Sequence, residues 1–122
     1  MTGRGLVSMV KGLFSSGAPS TEQAAQIGVG TKVYRVYGGK ATQLGRSWTT
    51  VDPNATPDYA AHAGLPAENS RTSVVTGVIT DMTDVSVTKA VPGASGPGGI
   101  TEVVIPNAAK QVKVTSVDPF HE

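Results

Sequence analysis

Cysteine is absent from the 122 residues, which excludes disulfides and thiolate-held metals and leaves sulfur silent about the redox compartment. Histidine occurs only at His62 and His121, too sparsely for most metal sites, so no metal is expected. Charge is thin as well. Ten Lys and Arg against nine Asp and Glu give a formal net charge of +1, and the basic residues are scattered rather than gathered into a stripe. Binding driven by phosphate neutralisation is therefore not expected, nor is a direct nucleic-acid partner. No apolar run approaches the roughly 18 residues that a membrane-crossing helix needs. The stretch Gly5-Leu6-Val7-Ser8-Met9-Val10-Lys11-Gly12-Leu13-Phe14 is only mildly apolar, and Lys11 interrupts it. It makes a poor signal peptide, and no membrane partner is expected.

What is abundant is turn chemistry. Fifteen glycines and eight prolines accompany 39% hydrophobic residues, a balance that suits many short strands better than a helical bundle. The length suits one domain with a modest core. Leu6, Met9, Val10, Leu13 and Phe14 follow helical spacing, and Ser20-Thr21-Glu22-Gln23 carries a helix-start pattern stopped by Gly28 and Gly30. Residues 1–30 are accordingly expected to be a helical or linker segment and 31–122 the domain proper. Within it, β-branched and aromatic runs predict strands over 31–37, 47–51, 73–80, 85–90, 102–105 and 111–117. A short helix is expected over 56–63, and 106–110 reads as a hairpin connection. The fold class is α+β or mostly β.

Three polar residues occupy an ordered set of strands. Arg35 lies in Lys32-Val33-Tyr34-Arg35-Val36-Tyr37, on the same strand face as Val33. A guanidinium fork there serves either as an exposed strand charge or as a clamp for a pyrophosphate or a loop. Ser47, in Gly45-Arg46-Ser47-Trp48-Thr49-Thr50, lacks the elbow of a nucleophilic serine and is better suited to fixing a carboxylate by donating a hydrogen bond. Thr49 offers a second hydroxyl, and Trp48 is either core or a stacking surface. Glu102 stands at the mouth of a late strand, after the glycine-rich stretch 92–99, which is expected to be a mobile loop shaping access to it. That stretch precedes a strand rather than a helix and matches no phosphate-binding signature. Tyr59 is the other candidate for stacking a flat ring. Glu68 is a reserve carboxylate, and general-base work by His62 or His121 is a minority reading.

The order Tyr34-Arg35, Ser47-Trp48-Thr49 and Gly98-Gly99-Ile100-Thr101-Glu102 resembles the signature of mono-ADP-ribosyltransferases of the R-S-E class. More narrowly, the wording around Arg35 and Ser47, with Gly64-Leu65-Pro66-Ala67-Glu68-Asn69, is similar to the C-terminal toxin domain of Rhs-type polymorphic toxins that modify elongation factor Tu. The resemblance implies an ADP-ribosyltransferase-like split β-sheet core gripping NAD as substrate. It also implies roles: Arg35 on the phosphate and ribose region, Ser47 supporting glutamate and nucleotide with Thr49, Trp48 and Tyr59 lining the site, and Glu102 on the nicotinamide ribose. It further implies delivery as part of a larger toxin, action in the cytoplasm of a competitor bacterium, translation as the target and a cognate immunity protein as partner. Ile100 departs from the pattern, because arginine-modifying relatives carry Glu or Gln two residues before the glutamate.

Three other functions fit the same residues. An NAD glycohydrolase uses water in place of a protein acceptor. A non-catalytic β-rich binding module leaves Arg35, Ser47 and Glu102 scattered over the surface. A ribonuclease toxin is disfavoured by the scarce histidines and the lack of a basic stripe.

Overall fold

A computed structural model of the chain describes residues 27–122; the helices expected over 6–14 and 20–26 lie outside them. The protein is a small α+β domain of mostly antiparallel strands in two open sheets with a few short helices. Sheet I has the order β1 (Lys32–Gly39), β3 (Asn69–Ile79), β6 (Val112–Pro119). Sheet II has the order β2 (Ser47–Trp48), β5 (Thr101–Val104), β4 (Ser86–Lys89). A 3-10 turn (Pro53–Ala55) and two helices, α1 (Tyr59–Ala63) and α2 (Ala108–Gln111), fill the connections.

Each expected strand has a counterpart, but two boundaries and one connection differ. β3 starts earlier than periodicity suggests, because Asn69 is buried and its amide donates to Val36 O at 2.9 Å, tying a polar stretch to β1. β2 ends after Trp48, because Thr49 leaves sheet II to bridge to Tyr34. The segment over 106–110 is not a hairpin connection: it leads into α2, and the strands beside it belong to different sheets. Buried Gln111 is the reason. Its amide nitrogen donates to Asp81 O and Thr83 O, at 2.9 and 2.8 Å, while its side-chain oxygen accepts from Asn107 N at 2.8 Å. With its polar atoms so engaged, it holds α2 against the turn after β3 and redirects the chain into sheet I.

The core has two parts. Val33, Val75, Ile79 and Val112 of sheet I pack against Trp48, Val103 and Ile105 of the sheet II side, with Ile27 joining from before the expected boundary at 30. Val36 and Val74, on the opposite face of sheet I, pack against Tyr59. Sheet I is thus apolar on both faces where β1 meets β3, which makes it the body on which the rest is mounted.

Candidate functional site

The site grows from the seam between the sheets. Tyr34 and Thr49 exchange both backbone hydrogen bonds, N to O at 2.8 and 2.9 Å. This bridge sets β2 beside β1, and Arg35, one residue beyond it, reaches across: its Nη1 donates to Ser47 O at 3.0 Å and its Nε to Thr42 O at 2.8 Å. On sheet II, Ser47 pairs with Val104 and Trp48 with Val103. Alternation turns Trp48 and Val103 into the core and puts Ser47 and Glu102 together on the other face, diagonal neighbours across the ladder. Their side chains meet there, Ser47 Oγ donating to Glu102 Oε2 at 2.5 Å. Arg35, Ser47 and Glu102, from three strands of two sheets, therefore form a continuous chain of contacts rather than scattered surface positions.

Burial pulls the Arg35 guanidinium below its ordinary pKa, and nearby Tyr59 opposes that shift. A group so basic stays charged all the same. Two of its donors serve backbone carbonyls, so part of its work is to fasten the 40–46 loop; the fork has five N–H groups in all. Gly45 makes this placement possible. A Cβ there would run into Nη2, Cζ and Nε of Arg35, while Gly45 O accepts from Trp48 Nε1 at 2.8 Å. The sequence offered one faint signal of this role, a glycine two residues before the serine.

The remaining expected residues divide. Trp48 is core: it is buried and its indole N–H is spent on Gly45, leaving no face for a stacked ring. Thr49 is buried too, with Oγ1 donating to Thr101 O at 3.0 Å and accepting from Val51 N at 3.3 Å, so its hydroxyl locks β2 to β5. Tyr59 stands at the site. Burial holds its phenol far above the ordinary value, Arg35 pulls it back and Glu102 pushes it further up. Its ring meets Phe120 edge-on, centroids 6.0 Å apart at 73°, a partner that sequence reasoning missed because Phe120 is 61 positions away.

Arg35, Ser47, Trp48, Thr49, Tyr59 and Glu102, all of the expected site residues, line a hollow of about 30 Å³, room for one water. Tyr59 also lines a cavity of about 740 Å³, bounded by 54–61 and by Arg71, Ser95, Phe120, His121 and Glu122. Two of the three non-glycine residues with left-handed backbone among the described residues, Asp58 (φ 55°) and Arg71 (φ 57°), are on its wall. Arg71 Nε also pairs with Glu122 at 3.2 Å.

The glycine-rich stretch is laced down rather than a free arm. Ser95 Oγ donates to Ala60 O at 2.5 Å and accepts from Leu65 N at 2.7 Å, while Gly98 N and Ile100 N donate to Ala61 O and His62 O. Gly64 and Gly93 permit this: a Cβ on either would collide with backbone oxygen of the other segment, Val91 O or Gly64 O. The loop consequently couples α1, which carries Tyr59, to β5, which carries Glu102. Glu68 and His62 are exposed and outside the hollow; His121 borders the larger cavity. Among the described residues, no group of three or more His, Cys, Asp or Glu is arranged to hold a metal ion. No family model, no curated protein and no solved structure matches the chain.

Proposed function

We propose that the domain is an NAD-dependent mono-ADP-ribosyltransferase toxin with an ADP-ribosyltransferase-like core, Glu102 as its catalytic residue and Arg35, Ser47 and Tyr59 as its nucleotide-contacting residues. The observation that carries this reading is the bond from Ser47 Oγ to Glu102 Oε2, in a hollow shared with Arg35. A hydroxyl donor on one carboxylate oxygen leaves the other for a ribose hydroxyl. When the bond from ribose C1′ to nicotinamide breaks, the pair leaves with nicotinamide and positive charge grows on the sugar. A fixed carboxylate stabilises that charge more than the ground state, which is the differential effect catalysis needs. The acceptor nucleophile then bonds to C1′ and passes its proton to solvent. In this proposal the hollow, which has room for one water in this structure, widens to admit the nicotinamide ribose, and the rest of the dinucleotide extends past Tyr59 toward the wider cavity.

By this proposal the acceptor is a protein of a competitor bacterium, with elongation factor Tu as the first candidate, and the producer is protected by an immunity protein. Ile100 favours a second reading, an NAD glycohydrolase. Its side chain packs with Val36, Tyr59 and Val74, so no polar group two residues before Glu102 polarises a protein nucleophile. Incubating the wild type and Glu102→Gln with labelled NAD, with and without bacterial extract, tests both. Nicotinamide release is expected to fall by about 10²–10³-fold in Glu102→Gln with the fold retained. Equal release by the two proteins would sink the catalytic proposal, and release without labelled protein would select the hydrolase.

A further inference from the structure

β6 is an outer strand of sheet I, and its sequence complements itself. It pairs with β3 on one side only, and among the described residues no strand covers the other. Val114 and Val117 are two of the large hydrophobic residues left exposed, at 38% and 49%. Bare apolar edges of this kind are what folded proteins ordinarily cover or blunt. Ser116 pairs with Thr76 and Val114 with Gly77, so Thr115 is an extra, bulged residue. The bulge brings Val114 and Val117, three apart, to the same face, the one shared with Val112 in the core. Lys113 and Asp118, opposite Val78 and Val74, point to the other face.

We propose that β6 is the interface of a symmetric dimer, in which a second copy of this chain adds its own β6 antiparallel to the first. In the register that sets Thr115 opposite Ser116, Val114 meets Val117 and Lys113 meets Asp118, each twice by symmetry. A two-fold axis normal to the sheet keeps like faces together, so the valines meet valines on one side and the opposite charges meet on the other. Slipping by two residues destroys this: one direction sets Lys113 against Phe120 and Thr115 against Asp118, the other sets Asp118 against Gln111. Neither Lys113 nor Asp118 has an ion-pair partner among the described residues, so both are available to the second copy. Asn54 engages Pro119 O and His121 N, which bounds the free edge just past Asp118. β1, with Arg35, is on the far edge of the sheet, so the second copy leaves the Ser47–Glu102 site uncovered.

Sedimentation equilibrium of the full chain, from about 1 μM to about 1 mM, tests this independently of any activity. The wild type is expected to dimerise reversibly. Lys113→Glu alone and Asp118→Lys alone each set like charges opposite one another and are expected to weaken association by about tenfold or more. Mixing these two variants restores opposite charges at both ends, so a heterodimer of near wild-type affinity is expected. A wild type that stays monomeric, single variants that associate as the wild type does, or a mixture no better than its components would each overturn the proposal.

Discussion

Sheets I and II divide the labour of the domain. The strands of sheet I run to 8, 11 and 8 residues, and both faces of the β1–β3 pair carry buried side chains. Those of sheet II run to only 2, 4 and 4 residues, yet they supply Ser47 and Glu102. So short a ladder gives little backbone pairing, and side chain to backbone bonds make up the difference: Thr49 to Thr101 O, Trp48 to Gly45 O, Arg35 to Ser47 O. Burial holds both sheets, the small one through Trp48 and Val103, but the small one depends in addition on a handful of directional polar contacts. Polar residues available for chemistry are therefore concentrated where the structure depends most on them.

This contrast can be broken from the side of sheet I. Ile79 is fully buried in the main core, and Ile79→Ala is expected to cost about 2–5 kcal/mol in denaturant unfolding. A loss below about 1 kcal/mol would mean that the core does not depend on this sheet in the way described. The contrast can be sharpened from the side of sheet II with two glycines. Gly45→Ala pushes the Arg35 guanidinium off Thr42 O and Ser47 O, at an expected cost of about 1–3 kcal/mol together with any NAD turnover. Gly28→Ala meets nothing within 4 Å and is the control, expected to leave both unchanged. Identical behaviour of the two variants would show that guanidinium placement is unimportant.

The smallest effect lies in acid. Hydrogen bonds from the Thr83 hydroxyl and then the Thr83 amide hold the exposed Asp81 carboxyl below its ordinary value of 3.8. Its contribution to stability is therefore complete above that value and disappears as pH falls through the lower, folded one. Asp81→Asn is expected to be slightly less stable than the wild type near neutrality and to show a shallower loss across this window, the two converging in acid. A variant whose acid melting curve overlays the wild type would remove Thr83 as the cause.

Much of this arrangement was legible in the residues. Alternation of β-branched side chains located the strands, and the spacing of Arg35, Ser47 and Glu102 along separate strands nominated the three that meet. Side-chain roles were less legible wherever a polar group turned inward. Gln111 reads as the first residue of a strand, yet its buried amide decides that 106–110 is not a hairpin. Thr49 and Trp48 look like ligand contacts because they flank Ser47, whereas long-range or loop carbonyls claim their donors. The glycines of 93–98 suggested motion, but glycine also permits close backbone approach, and here contact with α1 is what they allow. Local pattern cannot distinguish these two uses, because the difference lies in which distant segment comes near.

The reciprocal pair of bonds between Tyr34 and Thr49 has a mechanical consequence. Parting that seam would separate the strand bearing the guanidinium from the paired strands bearing the hydroxyl and the carboxylate in a single event, because Ser47 and Glu102 sit together on sheet II. Competence at this locus should therefore vanish in one step rather than by degrees, and slow deuterium uptake at these two amides would report how seldom the step is taken.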